Sequence, residues 1–508
     1  MMPRFSLRSR QRIGERNKKM KISLICDIHM PDNEKSAQAG FLRKAIQQMK
    51  TDEIPLVINL GDTTAAGEYE GFESYCKMTD DLEIVTLMGN SDVRNKETAQ
   101  RFLEKSVSFK RDFGKISLWG INTPYAEITE AEKEMLSDVK DGDVVFLHHS
   151  IPSLREGSRE FLTNLANEKE ITIIHAHSHK WLDYQLGKSR VVCIRALDPD
   201  KSIGNFPCIT YYDLESKTFE EKLFEVSKEA IFDARKFFGI SCVDNHRDLE
   251  YAIKNGICAV ELRLNGSEWE PDYSLDSKIE KWRKKTNGYL SVHMPNLKYK
   301  NGEITGKDKW LLAVEYAKHV KADGMTMHPP KIKTHEIEKV WDEILELYVY
   351  AVKNADERVK IGIENIHMGK ADTREDRGFG YTPQEVSKLI DAINESFGTP
   401  KRVGHTLDVG HARNNSFLAS KFPISRWFET MGQKTVAYHI HQVISVDGAY
   451  KNHTPIENWF GPMISYVSFF HGWENGTINR VPIFLEVRGC DNYQKSIEGF
   501  NECFVIKK

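Results

Sequence analysis

Long apolar runs are the first thing this sequence lacks. No stretch of about 18 consecutive apolar residues occurs that could span a membrane, and the N-terminus has no apolar segment of the kind a secretory signal requires. Charge of one sign is also missing. The formal net charge is −3, so no global field attracts or repels nucleic acid, and any such site must be local. Cysteine is sparse and scattered: the eight residues Cys26, Cys76, Cys193, Cys208, Cys242, Cys258, Cys490 and Cys503 form no CxxC pair and mostly sit inside apolar, strand-like runs. They read as reduced core residues. No low-complexity tract or short repeat is present. Together these absences lead us to expect a cytoplasmic protein with no membrane attachment.

What is present is ordinary globular composition, 40% hydrophobic and 29% charged, spread over 508 residues. A chain of this length divides into domains of roughly 100 to 250 residues, and two are expected. Residues 1–19 carry Arg4, Arg8, Arg10, Arg12, Arg16, Lys18 and Lys19 against Glu15. They read as a disordered basic extension, with a phosphate-touching arm as the alternative. From Lys21, strand-like runs (KISLICDIH, LVINLGD, EIVTLMGN, ISLWGIN, DVVFLHHS, ITIIHAHSH) alternate with helix-like stretches such as FLRKAIQQMK, which predicts a layered α/β domain over 20–228. RVVCIRAL and CITYYDLES read as its closing hairpin. Over 229–508 the runs FFGISCV, ICAVELRL, YLSVHMP, GMTMHPP, KIGIENIH, VGHTLDVGH, VAYHIHQV and PIFLEVRG recur with helical stretches between them. Eight β then α units predict a (β/α)8 TIM barrel, whose sites lie at the C-terminal ends of its strands.

In the first domain the strand ends carry metal-ligand chemistry: Asp27 and His29 in DIH, Asp62 in LGD, Asn90 in MGN, His148 or His149 in FLHHS, and His177 and His179 in HAHSH. A pair of divalent ions needs a bridging carboxylate and mixed nitrogen and oxygen donors, and this set offers both. The series DxH, GD, GN, H, xHxH resembles the calcineurin-like metallophosphoesterases over roughly 20–225. The resemblance implies a four-layer α/β sandwich holding two ions of Mn, Fe or Zn. Asp27, His29, Asp62 and His179 would hold one ion, and Asp62, Asn90, His148 and His177 the other, with Asp62 as the bridge. His148 is preferred to His149 because it directly ends the run VVFL. Two departures stand out. Where many members place His after the Asn, this sequence has Ser91, so the usual general acid is absent and Asp92, acting through water, is the substitute expected. Ala176 also replaces the motif's Gly.

In the second domain His293, His328, Glu364, Asp408, His411, His439 or His441, His453 and Glu486 fall at or just beyond strand ends. So many imidazoles and carboxylates at one barrel mouth suggest two or three ions. RVGHTLDVGHA, and IEN followed by a Gly-rich loop, resemble the endonuclease IV branch of the xylose isomerase-like barrels. By that likeness Glu364 and Glu486 bridge Zn or Mn ions, and His293, His328, Asp408, His411, His441 and His453 are terminal ligands. The family's final DxH element is altered, because Lys451 stands where Asp is usual. Asp447 is the candidate replacement, and Lys451 could instead meet a substrate phosphate. Glu261 is a further candidate ligand, or an inward Glu paired with Arg263.

The resemblances imply a two-site phosphoesterase processing DNA, RNA or a nucleotide: an endonuclease-like barrel with catalytic Glu364 and Glu486, and an end-trimming domain with catalytic Asp62, Asn90 and Asp92. Lys281, Trp282, Arg283, Lys284 and Lys285, and Lys307, Lys309 and Trp310, could track a backbone or stack a base. The rival reading is a sugar isomerase or epimerase barrel, with a core of Glu364, Asp408, His441 and Glu486, fused to a sugar-phosphate phosphatase. A third has one domain reduced to a binding module.

Overall fold

The computed structural model describes residues 21–264, 269–398, 402–447, 449–461 and 463–502. The basic segment 1–19 and Cys503 therefore lie outside the described residues. Two sheets build the N-terminal half. The first runs in the order Thr218–Leu223, Cys208–Asp213, Lys21–Ile25, Val57–Asn59, Ile84–Thr86. The second runs Phe109–Phe113, Ile116–Gly120, Val144–Phe146, Thr172–His175, Ser189–Cys193, Leu182–Leu186. The pleat explains their stacking, because alternate side chains point to opposite faces. Ile22, Leu24 and Ile58 of one sheet meet Phe146, Ile174 and Val192 of the other in a shared core. The intervening residues face outward: Ile25 and Val57 pack under the helix Ala37–Thr51, and Val145, Ile173 and Val191 under the helix Glu156–Glu168. Strands covered on both faces read as continuous apolar runs rather than alternating ones.

One expectation needs correction. RVVC and CITYYD do not pair with each other. Ser189–Cys193 is antiparallel to Leu182–Leu186 in the second sheet, whereas Cys208–Asp213 lies between Lys21–Ile25 and Thr218–Leu223 in the first. The polar strands LDYQL and TFEEKL were invisible as strands because they are edges, half exposed to water.

The helix Lys228–Arg235 separates the last of these strands from the first barrel strand. Eight parallel strands then close: Phe238–Ser241, Ala259–Arg263, Tyr289–His293, Gly324–Met327, Lys360–Glu364, Val403–Asp408, Thr435–Ile440 and Ile483–Leu485, the first pairing with the last (Phe238 with Ile483). These are the eight runs read from the sequence. A hairpin, Gln442–Val446 with Ala449–Thr454, follows the seventh strand. The halves are locked by buried polar contacts. Asp200 accepts from Ser425 N (3.0 Å), Ser425 Oγ (2.6 Å), Gln38 Nε2 (3.2 Å) and Ser468 Oγ, and Glu429 accepts from Asn33 Nδ2 (2.8 Å) and Ala37 N (3.0 Å). No helix among the described residues is long and apolar enough to cross a membrane.

Candidate metal centres

In the N-terminal half the loops after five strands converge. Asp62 lies at their centre, with His29 Nε2 3.2 Å from its Oδ2 and His148 Nε2 3.5 Å from its Oδ1. Asp27 Oδ1 lies 3.4 Å from His179 Nε2. Two groups, Asp27, His29 and His179, and Asp27, Asp62 and His148, each place their ligand atoms within 4.8 Å of one another. The donor set fits divalent cations: Asp27 Oδ1, Asn90 Oδ1 and His148 Nε2 are buried without a hydrogen bond, a costly arrangement unless something satisfies them. His148 is fixed through Nδ1 by the Leu60 carbonyl (2.9 Å). His149 is outside both groups, its ring 4.6 Å from that of His177, which itself lies 5.2 Å from His148.

The loop backbones are strained toward this geometry. Asp27, His29, Asp62, His177 and His179 all have left-handed φ, between 48° and 70°, a conformation that non-glycine residues adopt at a cost and mainly at functional sites. Ala176 has no such φ, so its replacement of Gly is strain-free. Burial alone would raise the Asp62 carboxyl, but the His148 and His29 imidazoles overcome it and hold it well below the usual carboxylate range.

Ser91 and Asp92 are both hydrogen-bonded into these loops. Ser91 donates to Asp62 twice, from its backbone N (2.7 Å) and its Oγ (2.9 Å), so it clamps the central carboxylate. Asp92 is buried and accepts four hydrogen bonds, from Thr64 N (2.8 Å), Thr64 Oγ1 (3.0 Å), Gly89 N (3.0 Å) and Thr63 N (3.3 Å). These bonds tie two ligand loops together, while burial and the Asp62 charge push its carboxyl up to about 6. Sequence reasoning missed Asp198, whose Oδ2 lies 3.2 Å from His29 Nδ1 and so orients the ring.

In the barrel Glu364 is the hub. His293 Nε2 (3.2 Å) and His328 Nε2 (3.0 Å) approach its Oε2, and His439 Nδ1 (3.3 Å) and His411 Nδ1 (3.4 Å) its Oε1. His439 Nδ1 also lies 3.3 Å from Glu486 Oε2. Three groups satisfy the 4.8 Å spacing: His293, Glu364 and His439; Glu364, Asp408, His439 and Glu486; and His411, His441 and His453. The alternatives His439 and His441 both fall in such groups, His439 among the carboxylates and His441 in an imidazole trio. That trio bears on the Lys451 departure. Lys451 is exposed on the hairpin and Asp447 lies at its exposed turn, while the His441 ring comes within 4.4 Å of that of His453. Neither Lys451 nor Asp447 joins His411, His441 and His453 in their group.

Glu261 lies beneath this cluster. Fully buried, it accepts from Ser241 Oγ (3.1 Å), Ser291 Oγ (3.1 Å) and Thr326 Oγ1 (2.9 Å), and stands 2.9 Å from His439 Nε2. It orients that ring, and Arg263 pairs instead with Glu486. Asp408 Oδ2 and Glu486 Oε2 are buried without a hydrogen bond, as a cation site would leave them. Above the cluster opens a cavity of about 530 Å³ walled by Tyr299, Phe379 and Tyr381 and by Lys331, Lys333 and Arg488.

In the basic, aromatic segments both tryptophans and several of the cations are already engaged within the protein. Trp282 and Trp310 are buried. Lys307 pairs with Glu343 and Lys309 with Glu270. Arg283 is held by Asp323 (3.1 Å) and the Lys321 carbonyl (2.6 Å), next to the start of the fourth barrel strand and so at the end opposite the ligands.

No curated protein matches the chain. Similar solved structures include a D-tagatose 3-epimerase-like protein (17% identity, TM-score 0.39, 53% of this chain and 97% of that one) and endonuclease IV from Thermus thermophilus (15%, 0.37, 53% and 98%). A dimetal phosphatase from Danio rerio is also similar (11%, 0.30, 41% and 93%). Likenesses this distant carry no assignment. The family described as xylose isomerase-like TIM barrel matches residues 249–503, and on that match, which takes in half of its length, the chain belongs to that family.

Proposed function

We propose that this protein is a metal-dependent phosphoesterase with two separate centres, a calcineurin-like one of up to two ions in the N-terminal sandwich and an endonuclease-like one of up to three in the barrel, acting on nucleic acid or a nucleotide. The observation that carries this reading is the imidazole trio His411, His441 and His453 beside the carboxylate group of Glu364, Asp408 and Glu486. A two-metal enediol isomerisation built on Glu364, Asp408, His441 and Glu486 has no use for the further imidazoles His411 and His453, whereas a phosphodiester with two free oxygens does. What divalent cations supply at such sites is Lewis acidity, neutralising charge on phosphoryl oxygens and acidifying a water.

The chain's own residues do the rest. In the N-terminal site His29, His148 and Ser91 fix the orientation of Asp62, and Asn90 presents its free carbonyl oxygen. With Ser91 committed to Asp62 and Asp92 to backbone amides, no acid stands ready for the leaving group, so the site suits phosphoesters whose leaving group departs unprotonated. In the barrel Glu261 holds His439, and Lys331 and Arg488 offer positive charge to a phosphate in the cavity.

The test is metal analysis of the purified protein followed by a panel of abasic and intact DNA, RNA, cyclic dinucleotides and sugar phosphates. Cleavage of a polymer or cyclic dinucleotide is expected. Turnover confined to sugar isomerisation, with full metal retained in a His293→Ala, His328→Ala double variant, would reject the hydrolase in favour of the isomerase.

A further inference from the structure

Between the two halves lies a second cavity, of about 320 Å³, whose lining includes His179, Lys201 and Arg94 from the first half and Arg413 and Tyr450 from the barrel. The five-residue helix Val409–Arg413 is the partition: His411, near its middle, faces the barrel cavity, and Ala412 and Arg413 face this one. One wall is therefore a ligand of the N-terminal group, and the opposite wall is a guanidinium from the other domain.

The charge here is unbalanced. Arg94, Lys201 and Arg413 form no ion pair among the described residues. Arg413 gives its Nε to the Met463 carbonyl (2.8 Å), and Arg94 reaches Ser420 Oγ (3.2 Å) and the Ala65 carbonyl (3.4 Å). Lys201 has no side-chain hydrogen bond among the described residues. The one acid in the lining, Asp200, has both oxygens occupied by Gln38, Ser425 and Ser468. Lys201 lies in the field of Asp198 and Asp62, and Arg413 in that of Asp200 and Asp198, but with no ion pair made the three cations keep donors that an anion between them could engage. At the rim Tyr450 is 47% exposed and offers a flat aromatic face of the kind on which a base stacks.

We propose that this interdomain cavity is a phosphate subsite of the N-terminal centre, completed by Arg413 of the barrel, and that it takes a nucleotide carrying a second phosphate beyond the one presented to His179. The inference rests on the phosphoesterase reading for its substrate class, but its test reads binding alone. The metal-loaded protein is titrated calorimetrically with adenosine bisphosphate, one phosphate on each of two sugar hydroxyls, and with adenosine monophosphate. The charge-assisted hydrogen bonds that the second phosphate accepts make a preference of about tenfold or more for the bisphosphate the expected result.

Arg413→Ala and Lys201→Met should each reduce that preference to about threefold or less, and Arg94→Ala, at an exposed position that folding does not need, should weaken it in the same direction. Lys421→Ala, a cation outside the cavity, should keep it. Equal affinity for the two nucleotides in the wild type, or an undiminished preference in all three cavity variants, would overturn the subsite. If the protein cleaves no phosphoester yet shows the preference and its loss in the variants, the hydrolase reading fails and the subsite is supported.

Discussion

Ser91 is the clearest case of one side chain deciding what a site can do. Its two hydrogen bonds to Asp62 stiffen the central carboxylate, and on the proposed phosphoesterase reading that role keeps it from protonating a leaving group. Activated aryl phosphodiesters should therefore be cleaved at least about 100-fold faster than alkyl esters. Steady-state rates on matched aryl and alkyl substrates check this, and equal rates would reveal a donor elsewhere. Asp62→Asn is the complementary test. A neutral amide cannot hold two cations, so hydrolysis at this site should fall about 100-fold or more while the barrel keeps its metal. Full activity with full metal occupancy would remove Asp62 from the centre of the site.

At the scale of elements, ligands arrive on short loops whose backbones leave little slack. Gly410, in the helix Val409–Arg413, shows this: a Cβ there would run into the His441 ring. Its φ is not left-handed, and Ala is the better helix former, so Gly410→Ala injures the site without injuring the helix. Metal analysis should show about one cation per chain lost and polymer cleavage down about tenfold or more, with circular dichroism unchanged. Unaltered metal content would mean that His441 is not a ligand. Elements also set what could be read in advance. Barrel strands buried on both faces announce themselves as apolar runs, and ligands at their ends stand out because each follows such a run. The edge strands LDYQL and TFEEKL carry no such signal. Nor does any spacing reveal that Asp198 meets His29, that Glu261 supports His439, or that Ser91 turns toward Asp62, since all three pairings depend on how separate loops meet. Likewise the sequence posed His439 and His441 as alternatives, although residues two apart along a strand share a face, and the two fall in separate candidate groups.

At the scale of the molecule, the halves share buried carboxylates that tie stability to pH. Burial pushes the Glu429 carboxyl up to about 7 despite the Ala37 and Asn33 donors. The folded state thus binds this proton more tightly than the unfolded chain does. Its stabilising contribution is complete below the unfolded carboxylate value and is lost as pH rises toward 7, by about 3 kcal/mol at most. Glu429→Gln should flatten the fall in melting temperature between about pH 5 and pH 8. Asp200, pushed up to about 6 by burial and by Asp198 in the same interface, should leave a smaller residual slope. An unchanged pH profile in the variant would show that Glu429 titrates normally.

Two independent centres in one chain form the core of this reading, and counting metal in the wild type, two single variants and their double variant tests it most directly. Wild type, Asp62→Asn and Glu364→Gln, purified with zinc and manganese supplied, are measured by elemental mass spectrometry per mole of chain. Glu364 is the hub of the barrel cluster and Asp62 of the other, so each substitution should empty its own domain and leave the other's metal and activity in place. The double variant should lose the sum. A wild type with less than about one ion per chain, or a single substitution that strips both halves, would contradict two separate centres.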